Sequence, residues 1–419
     1  MKRALLLMTT ATYRASAFMR AAEAVGVRAA VGTDRPDVLG DLNPGGSLTL
    51  DFLAPEEAAR KIAAFAEAHP VDALLAVDDD TVVAGAMAAE ALSLPFHPVE
   101  AARATRSKYE LRKLLDEEGL PSPRFRLLAA EEDPARLAGG VGYPCVLKPT
   151  FLSGSRGVIR ADNEAEFAAA FARIADILGE SETAARGGAE AGMILAEDYI
   201  PGREVALEGI VMEGELHVLA LFDKPDPMEG PFFEETLYVT PSRLPEGAQA
   251  AAAEAAARAA RAIGLREGPV HAELRIDGEA AWVLDVASRS IGGRCAGALT
   301  FAEGATLEEI LLRRALGLAP PSLEREAGAS GVMMLPIPGA GVLRGVEGKE
   351  EALAVEGVTG LDITIPPGGR VVPLPEGDRY LGFLFAKGET PEEVEAALRR
   401  AHGRLRFRIE AEGEPPGPS

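Results

Sequence analysis

Short apolar runs alternate with amphipathic segments through the first quarter of the chain. The predicted elements are strands at residues 4–8, 27–31 and 73–77 and helices at residues 16–25, 58–68 and 81–92. This alternation predicts a parallel sheet covered by helices on both faces, an α/β arrangement. The turn after the first strand reads TTATYRAS and lacks a GxGxxG pattern, so no dinucleotide site is expected there.

Three consecutive carboxylates, Asp78, Asp79 and Asp80, follow the strand at residues 73–77. The carboxyl ends of parallel strands are where α/β sheets bind ligands. Capping of the helix that begins near Thr81 explains the same residues equally well, and the sequence leaves both interpretations open.

A glycine-containing loop, FLSGSRGVIR, follows a predicted strand at residues 143–148. Its backbone N–H groups could surround phosphate oxygens, although no GK[ST] follows and it is therefore not a Walker loop. The loop residues concerned are Ser153, Gly154, Ser155 and Gly157. A hairpin turn is the simpler interpretation of the loop alone, but Lys148 directly before it favours phosphate.

A strand at residues 193–197 leads through a short connector into a second strand that carries Glu204. This pattern suits a nucleoside, since the backbone of the connector could bind a base edge and Glu204 the ribose hydroxyls. A surface hairpin accounts for the pattern equally well. The connector is Asp198-Tyr199-Ile200-Pro201-Gly202, directly after Glu197 at the end of the first strand.

The most informative stretch is VHAELRIDGEAAWVLDVASR at residues 270–289, in which two alternating strands flank an Asp-Gly turn signal. A three-residue loop at residues 277–279 would place His271 opposite Asp285, with Glu273 as the diagonal neighbour of Asp285. The two carboxylates would then converge on divalent ions, and Arg289 would lie further along the same face. A two-residue loop would send the two carboxylates to opposite faces.

Each of these side chains also has an ordinary explanation. A half-buried strand often carries one carboxylate for solvation, His271 could be a hydrogen-bonded core histidine, and Arg289 could form a structural salt bridge. The pair of carboxylates on one face with His271 and Arg289, beside a Gly292-Gly293 step, favours a functional site.

The segment PDPMEGPFFEETLYVTPSR mixes charged and aromatic residues and is long for a connection, which favours a functional role. We interpret Lys224, directly before it, as a surface charge in preference to a ligand.

The composition of the chain limits the classes of protein to which it could belong. The chain has 419 residues, 47% of them apolar, and a net charge of −22, so several domains are expected and a nucleic-acid partner is not. No apolar run approaches the length of a membrane span, and the N-terminus lacks a signal-peptide pattern. Cys145 and Cys295 have no metal-ligand spacing and suggest reduced thiols in a cytoplasmic protein.

The sequence changes character after residue 320. Residues 322–409 are predicted to form a small α+β domain that closes one side of the site. Thr390, Pro391 and Glu393 form the start of a helix with a capping box. Residues 411–419 are predicted to be a disordered tail.

Taken in order, several segments resemble the ATP-grasp superfamily: Lys108, YPCVLKP, the glycine loop, ILAEDYIPGREVALEG and HAELRID…VLDVASRSIGG. Within it, ALFDKPDP, GPFFEETLYVTPS and MMLPIPGAG…GVTG are similar to the L-amino-acid ligase branch of carboxylate–amine ligases. The resemblance implies an ATP-grasp fold with α/β and α+β domains. These are a Rossmann-like preATP-grasp domain at 1–107, two ATP-grasp subdomains at 108–192 and 193–320, and the C-terminal α+β domain at 321–410.

The resemblance also implies how a nucleotide would be bound. Lys108 and Lys148 would bind the α- and β-phosphates of ATP, and the glycine loop would fold over the triphosphate. Residues 197–200 would hold adenine, and Glu204 the ribose.

For the chemistry, the resemblance implies that Glu273 and Asp285 ligate Mg²⁺ (or Mn²⁺) and that Arg289 stabilises an acyl phosphate and a tetrahedral intermediate. Ala287 stands where many members have a metal-binding asparagine, and Asp285 replaces a more usual glutamate. We further expect roles in substrate binding or catalysis for His271, Glu234, Gly292 and Gly293.

The implied activity is ATP-dependent joining of a small-molecule carboxylate to an amine, with an L-amino acid as a substrate. A purine-pathway ribosylamine ligase, a bicarbonate-activating carboxylase and a non-catalytic nucleotide-binding protein are the alternatives. By analogy with many relatives, a homodimer is the expected assembly.

Overall fold

The computed structural model describes residues 1–36, 43, 45–320 and 322–411. The N-terminal elements are β1 (Arg3–Leu7), α1 (Ala15–Val25), β2 (Arg28–Thr33), β3 (Ser47–Thr49), α2 (Pro55–Ala68), β4 (Ala73–Ala76), α3 (Val82–Leu92) and α4 (Val99–Ala104). The four strands are parallel in the order β3-β2-β1-β4. Successive residues of β1 point to opposite faces: Leu5 packs with α2 and α3, and Leu6 with α1. The predicted parallel sheet is confirmed.

A second, antiparallel sheet follows, which we call the lid sheet. The elements of this region are α5 (Lys108–Glu117), β5 (Phe125–Ala129), α6 (Pro134–Leu137), β6 (Cys145–Pro149), β7 (Ile159–Ala161), α7 (Glu164–Gly179), α8 (Ser181–Gly187) and β8 (Met193–Asp198). The strand order is β5-β8-β6-β7. Helix α7 covers one face with the buried side chains of Phe167, Phe171 and Ile174.

The middle of the chain supplies β9 (Arg203–Met212), β10 (Glu215–Asp223), β11 (Leu237–Thr240), α9 (Glu246–Ile263), β12 (Gly268–Asp277), β13 (Ala280–Ala287) and α10 (Leu307–Ala315). Helix α9 is rich in alanine, and its buried alanines let it lie close to the sheet that these strands form. Gly264, with φ of 85°, ends the helix in the left-handed region.

The C-terminal elements are β14 (Ala329–Leu335), β15 (Gly341–Glu347), α11 (Lys349–Leu353), β16 (Val358–Ile363), β17 (Arg370–Val371), β18 (Gly382–Gly388), α12 (Pro391–His402) and β19 (Arg406–Glu410). Three of these strands extend the central sheet, whose order is β13-β12-β9-β10-β11-β14-β18-β16. The other three form a small sheet, β17-β15-β19. The C-terminal region is therefore continuous with the middle of the chain. From residue 412 onward the predicted disordered tail lies outside the described residues.

One apolar cluster joins the N-terminal sheet, the central sheet and the C-terminal region. Phe18, Phe301 and Phe383, one from each part of the chain, are all at most 1% exposed in it. This shared core holds the carboxyl ends of the N-terminal strands against one end of the central sheet. Among the described helices, none is both long and apolar enough to cross a membrane.

The predicted start of α12 offers a test of the C-terminal region. The Thr390 side chain accepts a hydrogen bond from the Glu393 backbone N–H, and the Glu393 carboxylate accepts one from the Thr390 backbone N–H. We expect Thr390→Ala to lower the free energy of unfolding by about 1 kcal/mol, because a backbone donor loses its acceptor. Urea unfolding measures the change, and Thr390→Ser is the control that should retain the native stability.

Candidate active site

A cleft of about 500 Å³ lies where the N-terminal sheet, the lid sheet and the central sheet meet. Most of the residues singled out in the sequence line it: Lys108, Lys148, Ser153, Gly154, Ser155, Glu197, Asp198, Tyr199, Ile200, Glu204, His271, Glu273, Asp285, Arg289, Gly292 and Gly293. Glu234 and Gly157 do not line the cleft.

The turn of the β12–β13 hairpin differs from the prediction. Asp277 pairs with Ala280, so the loop contains two residues, Gly278 and Glu279. The predicted three-residue loop is therefore wrong. The Asp-Gly signal did not distinguish the two lengths, because hairpins of both kinds use a glycine with positive φ, and Gly278 has a φ of 60°.

A β-bulge further along β13 restores the convergence that this turn alone would abolish. A regular ladder from a two-residue turn would place Asp285 on the face opposite to Glu273. Leu284 is instead an extra residue, so that Leu274 pairs with Val283 and Glu273 pairs directly with Asp285. The two carboxylates therefore share a face as direct neighbours and not as a diagonal pair.

His271 lies beside this pair and faces Ala287 across the ladder, so its predicted place opposite Asp285 is wrong. Its Nδ1 is 3.4 Å from Glu208 Oε2, and its Nε2 is 3.8 Å from Glu273 Oε1. Burial alone would lower the pKa of the imidazole, but the two carboxylates outweigh burial and raise the pKa of His271 to about 9. The two carboxylates therefore favour the protonated form of the ring.

Lys224 is buried at the centre of the carboxylates, which shows that its interpretation as a surface charge is wrong. Its side chain is 3% exposed, and its Nζ lies 2.8 Å from Glu204, 2.5 Å from Glu235 and 3.3 Å from Glu273. Burial acts to raise the pKa of Glu273, but the charges of Lys224 and His271 hold that pKa well below its usual range. One ammonium group therefore contacts all three carboxylates of the cluster.

Glu235, and not Glu234, is the acidic residue of the long loop that reaches the cleft. Glu235 Oε1 accepts hydrogen bonds from Lys224 Nζ and from the Tyr238 hydroxyl, at 2.8 Å for the latter. Glu234 does not line the cleft. Adjacent side chains of extended backbone point in opposite directions, and the sequence of two neighbouring glutamates could not reveal which one faces inward.

The two lysines proposed for phosphates each pair with a carboxylate. Lys108 Nζ lies 2.9 Å from Asp285 Oδ2 and donates to the Leu152 carbonyl, also at 2.9 Å. Lys148 Nζ lies 2.6 Å from Glu197 Oε2. Burial lowers the pKa of Lys148 despite this neighbour. The sequence separates Lys108 and Lys148 by forty positions, and the fold brings both to the same cleft.

The glycine loop is bonded to the C-terminal region. The Gly157 N–H donates to the Pro375 carbonyl at 2.9 Å, and Arg156 Nε donates to the Glu376 carbonyl at 2.7 Å. Gly157 was predicted to offer its N–H to phosphate, and in this structure that N–H is already bonded elsewhere. Ser153, Gly154 and Ser155 do line the cleft.

The proposed adenine segment runs from the end of β8 along the cleft wall. Tyr199 lies between two guanidinium groups, with its ring centroid 4.2 Å from Arg160 and 4.9 Å from Arg275. Arg275 Nη1 also donates to the Ile200 carbonyl at 2.7 Å, and its Nε lies 3.1 Å from Glu204 Oε2. Arg275 therefore fixes both the connector and Glu204.

Arg289 pairs with the N-terminal sheet. Its Nη2 lies 2.7 Å from Asp79 Oδ2, and Arg106 approaches the other oxygen of Asp79 at 3.7 Å. Burial acts to raise the pKa of Asp79, but the two arginines hold that pKa well below its usual range. The capping interpretation is confirmed, since Asp78 forms a capping box with Thr81. Asp79 lines the cleft, and ligand binding by the triplet stays a prediction.

The segment after Arg289 is held from two sides. Arg14, which is 4% exposed, donates from Nη1 to the Ser290 hydroxyl at 2.8 Å and to the Ile291 carbonyl at 2.6 Å. Glu208 accepts from the Ile291 N–H at 2.9 Å. This network fixes the backbone that leads into Gly292 and Gly293.

The donor set suits a hard divalent cation. Glu273 and Asp285 offer carboxylate oxygens from facing positions of one ladder, and such oxygens are the ligands that Mg²⁺ and Mn²⁺ prefer. Oxygens of Glu204, Glu235 and Glu273 also lie within 4.8 Å of one another, but the Lys224 ammonium already lies among them. The Glu273–Asp285 pair is therefore the better candidate.

Three family models match the chain in the order that the sequence predicted. The ATP-grasp N-terminal domain matches residues 19–96, the ATP-grasp domain residues 141–298, and the L-amino acid ligase C-terminal domain 2 residues 333–410. The chain belongs to the ATP-grasp superfamily. Within it, the chain falls in the L-amino-acid ligase branch, as the match to the C-terminal domain indicates.

Known proteins agree with this assignment. The crystal structure of L-amino acid ligase from Bacillus licheniformis has a TM-score of 0.83 at 26% identity and covers 98% of this chain and 99% of that chain. Alanine–anticapsin ligase of Bacillus subtilis (strain 168) is 30% identical over 233 residues, which are 53% of this chain and 48% of the relative. Carnosine synthase 1 of Gallus gallus is 30% identical over 285 residues, 65% of this chain and 30% of the relative. The chain spans about half the length, or less, of these curated relatives.

Several residues that line the cleft or lie directly behind its lining were missed or left without a role in the sequence analysis: Arg14, Arg106, Arg112, Lys224, Glu235 and Arg275. A signal existed for two of them. Arg112 lies one helical turn after Lys108, and Arg275 shares a strand face with Glu273. The others depend on contacts between distant segments, which a local pattern does not encode.

Lys224 should contribute strongly to stability. We expect Lys224→Met to lower the free energy of unfolding by about 3–5 kcal/mol at pH 7, because it leaves the buried Glu204 and the half-buried Glu235 and Glu273 without their shared counter-charge. Lys113→Met is the matched control: this lysine is 42% exposed and pairs with the exposed Glu110, so its loss should cost at most about 1 kcal/mol. Equal losses in the two variants, measured by urea unfolding without divalent metal, would contradict the central role of Lys224.

Proposed function

We propose that the chain is an ATP-dependent ligase that joins the carboxylate of an L-amino acid to an amine through an acyl phosphate, releasing ADP and phosphate. The observation that carries this proposal is the direct pairing of Glu273 with Asp285 in a cleft that also holds Lys108, Lys148 and Arg289. The amino-acid substrate is supported by the similarity to L-amino acid ligase over 98% of the chain.

The nucleotide binds along the cleft wall between the lid sheet and the central sheet. Lys108 and Lys148 bind the phosphates, exchanging part of their contacts with Asp285 and Glu197 for phosphate oxygens. The N–H groups at residues 153–155 cover the triphosphate. Residues 197–200 hold adenine, and Glu204, oriented by Arg275, binds the ribose.

Glu273 and Asp285 hold the divalent metal, and Ala287 contributes no ligand to it. Mg²⁺ or Mn²⁺, when bound there, supplies neutralisation of the phosphate charge and orientation of phosphoryl transfer. Mg²⁺ and Mn²⁺ prefer hard oxygen ligands, and both carboxylates lie on the cleft side of the hairpin.

The reaction has two steps. A carboxylate oxygen of the first substrate attacks the γ-phosphorus, and the bond to ADP breaks. The nitrogen of the amine then attacks the acyl carbon, the bond to phosphate breaks, and the proton lost by the amine leaves with the phosphate. Arg289 and the backbone N–H groups at Gly292-Gly293 stabilise the negative charge on the acyl oxygen. His271, which lines the cleft beside Glu273, contacts the phosphate or acyl group.

Two further requirements of this chemistry have candidates in the cleft. An acyl phosphate must be protected from water, and the glycine loop and Phe233 on the long loop, which both line the cleft, are the candidates for this protection. An α-ammonium group needs an anionic partner, and Glu235, beside the aromatic rings of Tyr238 and Tyr380, provides one. This assignment replaces Glu234.

The activity is tested by incubating the protein with ATP, Mg²⁺ and a panel of L-amino acids and measuring ADP release. We expect Arg289→Ala to lower kcat by at least about 100-fold, because the developing oxyanion loses a charged donor, while ADP affinity measured by calorimetry stays native. Arg344→Ala is the control, since this arginine is exposed and pairs with Glu410 in the small C-terminal sheet. Native ADP binding by the unaltered protein without turnover on any substrate would favour the non-catalytic alternative.

Adjacent glutamates provide a matched pair for the α-ammonium site. We expect Glu235→Gln to lower kcat/KM for the amino acid by about 10- to 100-fold, since a hydrogen bond to a charged group contributes about 1.5–3 kcal/mol. Glu234→Gln should leave kcat/KM unchanged, because Glu234 does not line the cleft. The reverse order of effects, in steady-state assays of both variants, would return the role to Glu234.

A further inference from the structure

The bulge at Leu284 decides whether Glu273 and Asp285 share a face. We propose that Arg112 is a positioning residue that holds this bulge and thereby keeps Asp285 opposite Glu273. The proposal rests on the metal-binding role given to these two carboxylates under the proposed function. Arg112 itself does not line the cleft.

The contacts of Arg112 converge on the bulge. Its side chain is completely buried, at 0% exposure. Nη1 donates to the Val283 carbonyl at 3.2 Å, and Nη2 donates to the Leu284 carbonyl. Nε donates to Glu197 Oε1 at 2.7 Å. One guanidinium group therefore binds both carbonyls of the bulge and a carboxylate of the nucleotide wall.

The position of β13 in the sheet explains why this donor is needed. β13 is the outermost strand at one end of the central sheet, so groups directed away from β12 have no neighbouring strand to pair with. A buried carbonyl without a donor costs free energy. Helix α5 and the segment after it cover this edge, where the Val283 N–H donates to the Pro121 carbonyl at 3.3 Å. Arginine suits the two adjacent carbonyls because its planar fork presents several donors at once.

The same helix also contacts the carboxylate that the bulge orients. Lys108 begins α5, lies one turn before Arg112, and places its Nζ 2.9 Å from Asp285 Oδ2. Through Glu197, Arg112 is also linked to Lys148, whose Nζ lies 2.6 Å from the other carboxylate oxygen. Burial acts to raise the pKa of Glu197, but Arg112 and Lys148 hold that pKa below its usual range. The guanidinium group of Arg112 therefore contacts the bulge directly and is linked to Lys148 through Glu197. Lys108 lies on the same helix.

The test measures how much Mg²⁺ strengthens ADP binding. Calorimetric titration of ADP with and without Mg²⁺ gives the ratio of the two dissociation constants, which reports on the metal site without requiring turnover. We expect Arg112→Lys, which keeps the charge and loses the fork, to reduce this ratio by about 10- to 100-fold, as is typical when a partner that orients a metal ligand is removed. A folded Arg112→Lys protein with the native ratio would overturn the proposal.

Arg243→Lys separates positioning from general stability. Arg243 also makes several contacts, with Asp223 and Glu395, and its side chain is 27% exposed outside the cleft. We expect this variant to lose stability and to keep the native Mg²⁺ ratio. An equal loss of the ratio in Arg243→Lys would show a non-specific effect and would contradict the role given to Arg112.

A second test removes the bulge and leaves the arginine in place. Deletion of Leu284 makes the ladder regular, with Val283 and Asp285 consecutive and Asp285 still opposite Glu273. In that shortened strand the register no longer needs Arg112. We expect the deletion protein to retain a Mg²⁺ ratio that Arg112→Lys does not reduce further. A reduction as large as in the full-length strand would mean that Arg112 acts by another route, and the proposal would fail.

These outcomes are independent of the ligase activity. A protein that binds ADP with a strong Mg²⁺ dependence but turns over no substrate defeats the proposed function and still supports the role of Arg112 if the ratio falls in Arg112→Lys. A protein that turns over amino acids with a ratio insensitive to Arg112→Lys keeps the function and overturns the role. Native protein whose ADP affinity does not respond to Mg²⁺ overturns the role as well.

Discussion

Side chains alternate between the two faces of a regular β-strand, and this constraint decides whether Glu273 and Asp285 meet in the cleft. Because the period is two residues, a shift of one position exchanges the faces of a strand. In the β12–β13 hairpin the tight turn and the bulge each shift the register by one residue in the same direction. The combined shift of two residues returns Asp285 to the face of Glu273. The meeting of Glu273 with Asp285 is therefore a property of the entire hairpin and of the groups that cover its edge.

Local charge in the cleft contrasts with the charge of the chain. The protein carries a net charge of −22, yet several cations lie in or beside the cleft, and most of them are paired with a carboxylate. Lys224 lies among three glutamates, Arg289 faces Asp79, and Lys148 faces Glu197. Such pairing makes the burial of the cations tolerable. It also means that an anionic ligand competes with carboxylates already in place for each of these groups.

The sequence allowed the order of the segments to be predicted, because alternation of apolar residues, glycine clusters and turn signals are local features. The N-terminal parallel sheet and the capping box at Thr390 were predicted from such features. Burial of Lys224 and the inward direction of Glu235 were not, because each depends on segments far apart in the chain. The hairpin register was predicted wrongly for a third reason. An alternating pattern shows neither the turn length nor the bulge, and the bulge returns Asp285 to the same face that the predicted three-residue loop would have given it.

The bonds between the glycine loop and the C-terminal region restrict how the loop can move away from the cleft. The N–H of Gly157 and the guanidinium of Arg156 hold the backbone at Pro375 and Glu376, and Arg173 on α7 pairs with the Glu376 side chain at 2.5 Å. Lifting the loop away from the cleft breaks these bonds or carries the C-terminal segment with it. Any opening of the glycine loop therefore involves the C-terminal segment at Pro375 and Glu376.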